Sequence, residues 1–236
     1  MINWIDFNNK SLRDFGVYIS GSGVFDAPER DETSVSVAGR NGELTLDNGR
    51  YKNITVEYPA FIIRNFKRNV SGLRNFLLSS RGYCRLEDTY HPEEYRLAKW
   101  DGSFTADPND ELYAANFTLK FDCYPQRFLK IGEMPLELTA AGTLFNDYLQ
   151  EAKPLIRAYG TGSFTIGDCT VTINSSNEYT DIDSDLEECY KDDLSTNCNG
   201  NVTLTSGTFP TLPSGENDIS MSGITKLIIY PRWWIL

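Results

Sequence analysis

Histidine occurs once in 236 residues, so any His-based triad, His-rich metal site or histidine general base would have to use His91, in "DTYHPEEY". Glu93 and Glu94 could orient it. Pro92 directly after it indicates an extended or turn conformation, and there is no Gly-x-Ser-x-Gly elbow or comparable nucleophile setting. The residues therefore read His91 as a surface-loop side chain. Cysteine is sparse too: Cys84, Cys123, Cys169, Cys189 and Cys198 make an odd count without a CxxC pair. That argues against a disulfide scaffold or a zinc site and favours free thiols in a reducing cytoplasm. Cations are outnumbered, and a formal net charge of -11 excludes a surface built to grip phosphates. An acidic wall would repel DNA, as a non-sticky conduit must. No apolar run is long enough to cross a bilayer. The start, "MINWIDFNNK", has no basic n-region followed by an apolar h-region, so a chain made and used without a Sec signal is expected. On that expectation the five Asn-x-Ser/Thr sequons, at Asn53, Asn69, Asn116, Asn174 and Asn201, are chance matches.

Aromatics are plentiful at 13% and sit in alternating runs beside Thr, Val and Ile, the composition of strands. The length favours two domains, or one large one, and the class is mainly β. In the first third, "ELTL" (43–46), "DNG" (47–49) and "RYKNITVEYPAFII" (50–63) predict a hairpin turning at the Asn-Gly. Pro59 predicts an edge, a bulge or a break. One helix is predicted at 67–79, where Phe66, Val70, Leu73 and Leu77 form an apolar stripe and Arg64, Lys67, Arg68 and Arg74 lie off it. "GYCRLEDTY", "EYRLAKW" and "LYAANFTLKFDCYP" read as strands, the last with one wet face. A boundary falls near 130, giving an N-terminal β domain with one packed helix (1–130). Residues 131–152, which lose periodicity, read as a connection. From 153 to 236 short segments recur between turn signals: "PLIRAYG", "SFTIG", "CTVTIN", "EYTDID", "NVTLTSG", "NDISMSG" and "TKLIIYPRWWIL". They predict a β-sandwich. No whole-chain repeat is visible.

Few constellations carry chemistry. "TDIDSDLEECYKDD" puts Asp181, Asp183, Asp185 and Asp192 at positions one, three, five and twelve of a possible calcium loop. The glycine position is Leu186 and the bidentate Glu is missing, so an acidic turn is the better reading. Carboxylate pairs suited to glycoside hydrolysis are defined by spatial separation, which a sequence does not carry. Trp233 and Trp234 could meet a sugar, but they end an apolar strand, where core packing is the favoured role. "VAGRNGELTLDNGRY" (37–51) offers a glycine-rich loop. "GRNG" lacks the Lys-Ser/Thr of a phosphate loop and precedes no helix. Gly39 and Gly42 supply backbone conformations closed to other residues, which leaves Arg40 unexplained by turn chemistry.

Taken in order, the "GRNG" loop, an aromatic strand, "LRNFLL" on a helix, "YCRLEDTYHPEEYRLAKW", "KFDCYPQRFL", "SGENDISMSG" and the closing "IIYPRWWIL" resemble the distal tail protein family of long-tailed, non-contractile bacteriophages, from end to end. The resemblance implies an N-terminal ring-forming β domain, typically hexameric, at the tip of the tail tube, and an outward galectin-like β-sandwich. It implies a structural hub with no catalytic residue, cofactor or metal, which joins the tail tube protein to a tail-associated or tail-fibre protein and to a receptor-binding protein. A channel for DNA is left open, with no sequence-specific nucleic-acid binding and no membrane insertion. The expected location is the virion tail tip, after assembly in the host bacterial cytoplasm. By this route Gly39, Arg40, Asn41 and Gly42 become an assembly contact and Arg232, Trp233 and Trp234 part of a structural C-terminal strand. The alternative is a carbohydrate-binding module recognising host cell-wall glycans, with a glycan hydrolase third.

Overall fold

From Ile54 to Ile62 every second residue is buried, and the same alternation runs through Ala115–Cys123. Strands of this kind hide one face and wet the other, and they set the frame of the fold. The computed structural model describes residues 2–21, 23, 25–63, 65–103, 105–109, 114–175 and 178–236. Arg64 lies outside them. The chain divides into two units, Met1–Arg127 with Leu236, and Phe128–Ile235. It is mainly β, as its sequence predicts, with one α-helix among the described residues.

In the first unit the strands are β1 (Ile5–Phe7), β2 (Lys10–Ser11), β3 (Val17–Ile19), β4 (Arg30–Ser36), β5 (Glu43–Tyr51) and β6 (Ile54–Ile62). Helix α1 (Phe66–Ser79) follows, then β7 (Cys84–Asp88), β8 (Glu94–Trp100), β9 (Asp107–Asn109) and β10 (Ala114–Cys123). The main sheet runs β2-β1-β7-β8-β10-β6-β3. The helix buries Val70, Leu73 and Leu77 in one apolar core with Phe7, Leu12, Val56, Leu119 and Phe121. Lys67, Arg68 and Arg74 face solvent. One local expectation is met in part and another fails. Pro59 sits at a local edge, just past the last β3 pair, Ile19 opposite Ala60. Pro59 does not break β6, which pairs with β10 through Thr118 opposite Pro59. Its carbonyl accepts from the Ser20 N–H at 2.8 Å. A residue's N and O point to the same side of a strand, so its missing donor faces the side where β3 ends and no ladder bond is lost. Nor does "DNG" turn a hairpin. β5 runs through it and pairs with β4, with a register break between Arg30 and Glu32. Asp47 Oδ1 accepts from the Gly49 N–H at 2.8 Å, a side-chain turn that makes a bulge instead of a reversal.

β11 (Arg127–Leu129) straddles the division. The second unit holds β12 (Leu136–Leu138), β13 (Gly142–Asn146), β14 (Leu155–Ile166), β15 (Cys169–Ile173), β16 (Tyr179–Asp183) and β17 (Glu188–Lys191). β18 (Thr196–Asn197), β19 (Val202–Leu204), β20 (Gly215–Tyr230) and β21 (Trp234–Ile235) complete it. "PLIRAYG" and "SFTIG" prove to be halves of β14, and "NDISMSG" and "TKLIIY" halves of β20. The glycines that read as turns are bulges inside long strands. Leu155–Tyr159 pairs with β16 and with Lys226–Tyr230, whereas Ser163–Ile166 pairs with β15 and with Ile219–Gly223. At the join Gly162, at φ 147°, lies so near β20 that a Cβ would sit 2.2 Å from the Ser222 carbonyl oxygen. Residues of both halves, among them Ile156, Ala158, Phe164 and Ile166, share one core with Val171, Ile182, Leu227 and Ile229, the packing of a sandwich. Residues 131–152, read as a connection, contain β12 and β13, both paired to β20. Leu136 and Phe145 there are exposed, so apolar residues on outer strands blur the period.

Candidate assembly surface

β4 and β5 form a two-stranded ribbon outside both larger sheets. Thr33 stands opposite Leu46, Val35 opposite Leu44, Ser34 opposite Thr45 and Ser36 opposite Glu43. With a period of two, one face carries Val35, Val37, Leu44 and Leu46 and the other Glu32, Ser34, Ser36, Glu43, Thr45 and Asp47. Both faces are open: Val35 is 41% and Leu46 58% exposed. Ion pairs brace the base, Arg30 to Asp47 at 3.1 Å, Arg50 to Asp31 at 2.7 Å and Lys52 to Glu29 at 3.4 Å. The hydrogen bond from Arg50 holds the Asp31 carboxyl below its ordinary range. Exposed pairs add little stability, so the ribbon's own apolar face is its main unspent contact.

Residues 37–42, at the ribbon's tip, make the turn that the sequence placed at "DNG". The Arg40 N–H donates to the Val37 carbonyl at 3.1 Å, and Gly39 (φ 79°) and Gly42 (φ 82°) have nothing within 4 Å of a would-be Cβ. They are needed for conformation, not for space. Arg40 and Asn41 are exposed between them, and Arg40 makes no ion pair among the described residues.

The C-terminal residues lie elsewhere and act inward. Of the residues expected in a C-terminal strand only Trp234 is in one, β21; Arg232 (φ 57°) and Trp233 precede it. The Arg232 guanidinium grips both oxygens of Asp183 at 2.6 and 2.8 Å. Burial works to raise the Asp183 carboxyl, and Arg232 with the Leu186 and Asp185 N–H groups outweighs it, holding the group below the ordinary carboxylate range. Trp233 is 7% exposed, while Trp234 is partly exposed and its indole N–H donates to the Glu151 carbonyl at 2.9 Å. Asp181 is likewise taken by Arg157 at 2.7 and 2.8 Å. Two carboxylates of the possible calcium loop are thus neutralised by guanidinium groups, and no metal-binding cluster is present among the described residues.

His91 is more buried than a surface loop residue, its side chain 17% exposed. Its Nδ1 lies 3.1 Å from Asp88 Oδ1, and Asp88 Oδ2 accepts from the Tyr58 hydroxyl at 2.8 Å. Asp88, not Glu93 or Glu94, orients the ring, because the Asp88 carboxylate also caps the Tyr90 and His91 N–H groups. Nε2 is buried without a hydrogen-bond partner, so no nucleophile is joined to it. On the second unit Tyr159 stands beside Tyr179, with centroids 5.7 Å apart. Lys226 covers Tyr159, and Arg157 and Lys191 cover Tyr179, so the rings are spent on cations of the same chain.

The fold matches that of the Dit protein of phage SPP1, described as a paradigm of the hub adsorption apparatus of phages infecting Gram-positive bacteria. The TM-score is 0.76 at 15% identity, over 97% of this chain and 98% of that one. The chain has the fold of a phage tail-hub protein. A chain of the phage P2 baseplate in its activated conformation, solved with calcium and again with strontium, matches at TM-scores of 0.53 and 0.52 and 9% identity, over 97% of this chain and 96% of that one. No family model and no curated protein sequence matches. The agreement covers both units of the fold while most side chains differ, so the shared fold rests on pattern and not on shared residues.

Proposed function

We propose that the protein is the structural hub of a phage tail tip, a closed ring of six copies that joins the tail tube protein to tail-associated and receptor-binding proteins. The ribbon β4–β5 carries this reading. A two-stranded ribbon is marginal on its own in water, and this one offers an unpartnered apolar face on one side and Glu32 and Glu43 on the other, where Asp47 is paired with Arg30. Laid on a neighbouring copy, the apolar face is buried and the acidic face is left to line a channel that passes DNA without holding it. The tip, Gly39 to Gly42, is exposed, and on this reading it sets Arg40 against the next subunit or an axial partner. The charge distribution refines the picture. Phe128–Ile235 has fifteen carboxylates against six cations, a net of -9, and the first unit eighteen against sixteen, a net of -2. The ring-forming unit therefore owes its acidic channel face to the ribbon and not to overall acidity. The virion tail tip is the site of action and the host cytoplasm the site of assembly.

Light scattering with negative-stain imaging tests the reading. Rings with a central hole are expected, and Val35→Asp combined with Leu44→Asp should return monomers of unchanged fold. A monomer at every concentration, also in the presence of tail tube protein, overturns it.

A further inference from the structure

Two of the five cysteines are placed against each other by strand register. In the β17–β18 pair Tyr190 stands opposite Asn197 and Lys191 opposite Thr196, so the next position sets Cys189 opposite Cys198. The Cys198 N–H donates to the Cys189 carbonyl at 2.8 Å. The reciprocal bond is not made, because the Cys189 N–H donates to Asn199 Oδ1 at 2.6 Å; opposed residues of antiparallel strands have Cα atoms about 4.5–5.5 Å apart, inside the roughly 4.4–6.8 Å span of disulfides. Both side chains point inward, at 2% and 9% exposed, and both belong to the same apolar core. The other thiols have other surroundings. Cys84 and Cys123 belong to the first unit; the Cys169 thiol donates to the Thr208 carbonyl at 3.2 Å, and the Cys198 thiol makes only a longer contact, 3.7 Å, with the Thr196 carbonyl. Sequence spacing alone gives no such pairing, because Cys189 and Cys198 are separated by the eight residues 190–197 and become neighbours only when the chain reverses there.

We propose that Cys189 and Cys198 are a redox pair that closes to a cross-strand disulfide when the protein meets a low-molecular-mass disulfide such as glutathione disulfide. Cys198 is the point of entry, because it follows directly on β18, the outermost strand of its sheet, and is the more exposed of the two, 9% against 2%. Its thiolate attacks the glutathione disulfide, forming a mixed disulfide and releasing one glutathione thiolate. The Cys189 thiolate then attacks Cys198 Sγ, the Cys189–Cys198 bond forms, and the second glutathione leaves. The protein gives up two protons and two electrons, and the reagent becomes two glutathiones. Burial pushes the Cys189 thiol up to about 12 and raises that of Cys198. The thiolate fraction is small at neutral pH, so closure is slow there and speeds up about tenfold per pH unit below the thiol values. A closed bond ties the outer strand and its turn, where Asp192, Asp193 and Leu194 hold left-handed backbone, to the neighbouring strand β17. The pair is reduced where the chain is synthesised and closes outside the cell, and the chemistry stands independently of the hub reading.

The test incubates the native protein with excess glutathione disulfide at pH 8, quenches with acid, unfolds, and counts thiols beside intact mass and a peptide map. Thiols are expected to fall from five to three, with a mass loss of two hydrogens and a peptide joining Cys189 to Cys198. The triple variant Cys84→Ser, Cys123→Ser, Cys169→Ser should form the same bond, and Cys198→Ser should keep four thiols. Five thiols persisting, a stable glutathione adduct at Cys198, or a bond to Cys169 overturns the proposal.

Discussion

Asp183 is 1% exposed and is held by Arg232 on two oxygens and by the Tyr190 hydroxyl at 3.2 Å. Removing one partner of a buried pair strands the other charge, so Asp183→Asn should lower unfolding stability by about 3–5 kcal/mol at pH 7, read from urea melts. The sign of its pH dependence follows from the lowered carboxyl. Its contribution is complete above the unfolded value of about 3.9 and is lost as pH falls through the lower folded value. Wild type should therefore lose more stability than Asp183→Asn between pH 5 and pH 2. At Gly162 a Cβ meets a carbonyl oxygen, and Gly162→Ala should destabilise the sandwich by about 2–4 kcal/mol. Arg40→Ala touches nothing inside the chain, so melts should not change while ring formation is lost. Intact rings would free Arg40 of its proposed role. The importance of Arg232 was hidden in the sequence, because only the folded chain brings it to Asp183.

α1 and the ribbon sit at opposite ends of legibility. The helix was readable because its apolar residues follow a 3.6 period, and the structure places Val70, Leu73 and Leu77 in the core as that period requires. Leu73→Ala should cost about 2–5 kcal/mol. The ribbon was misread by its turn. "DNG" and "GRNG" are both good turn sequences, and strand pairing, not local chemistry, chose between them. Its alternation is weak because neither face is buried within the chain, so burial left no clean pattern to read. The Val35→Asp, Leu44→Asp variant separates the two roles: stability within about 0.5 kcal/mol of wild type, as for surface changes, and no ring.

For the whole molecule the expected assembly of six chains of 26.7 kDa has a mass of about 160 kDa, and light scattering should find it. Composition and alternation by themselves determined a mainly β chain with one helix, because period and propensity are local properties that survive without neighbours. They also set a low cation content unsuited to gripping DNA. Tertiary structure decided that Gly160 and Gly223 interrupt two long strands instead of ending four short ones, that "DNG" is a bulge, that 131–152 pairs with β20, and that His91 turns to Asp88. Each of these depends on which distant segment lies alongside, a fact set by packing and hydrogen-bond closure across the fold and written in no single stretch of the chain.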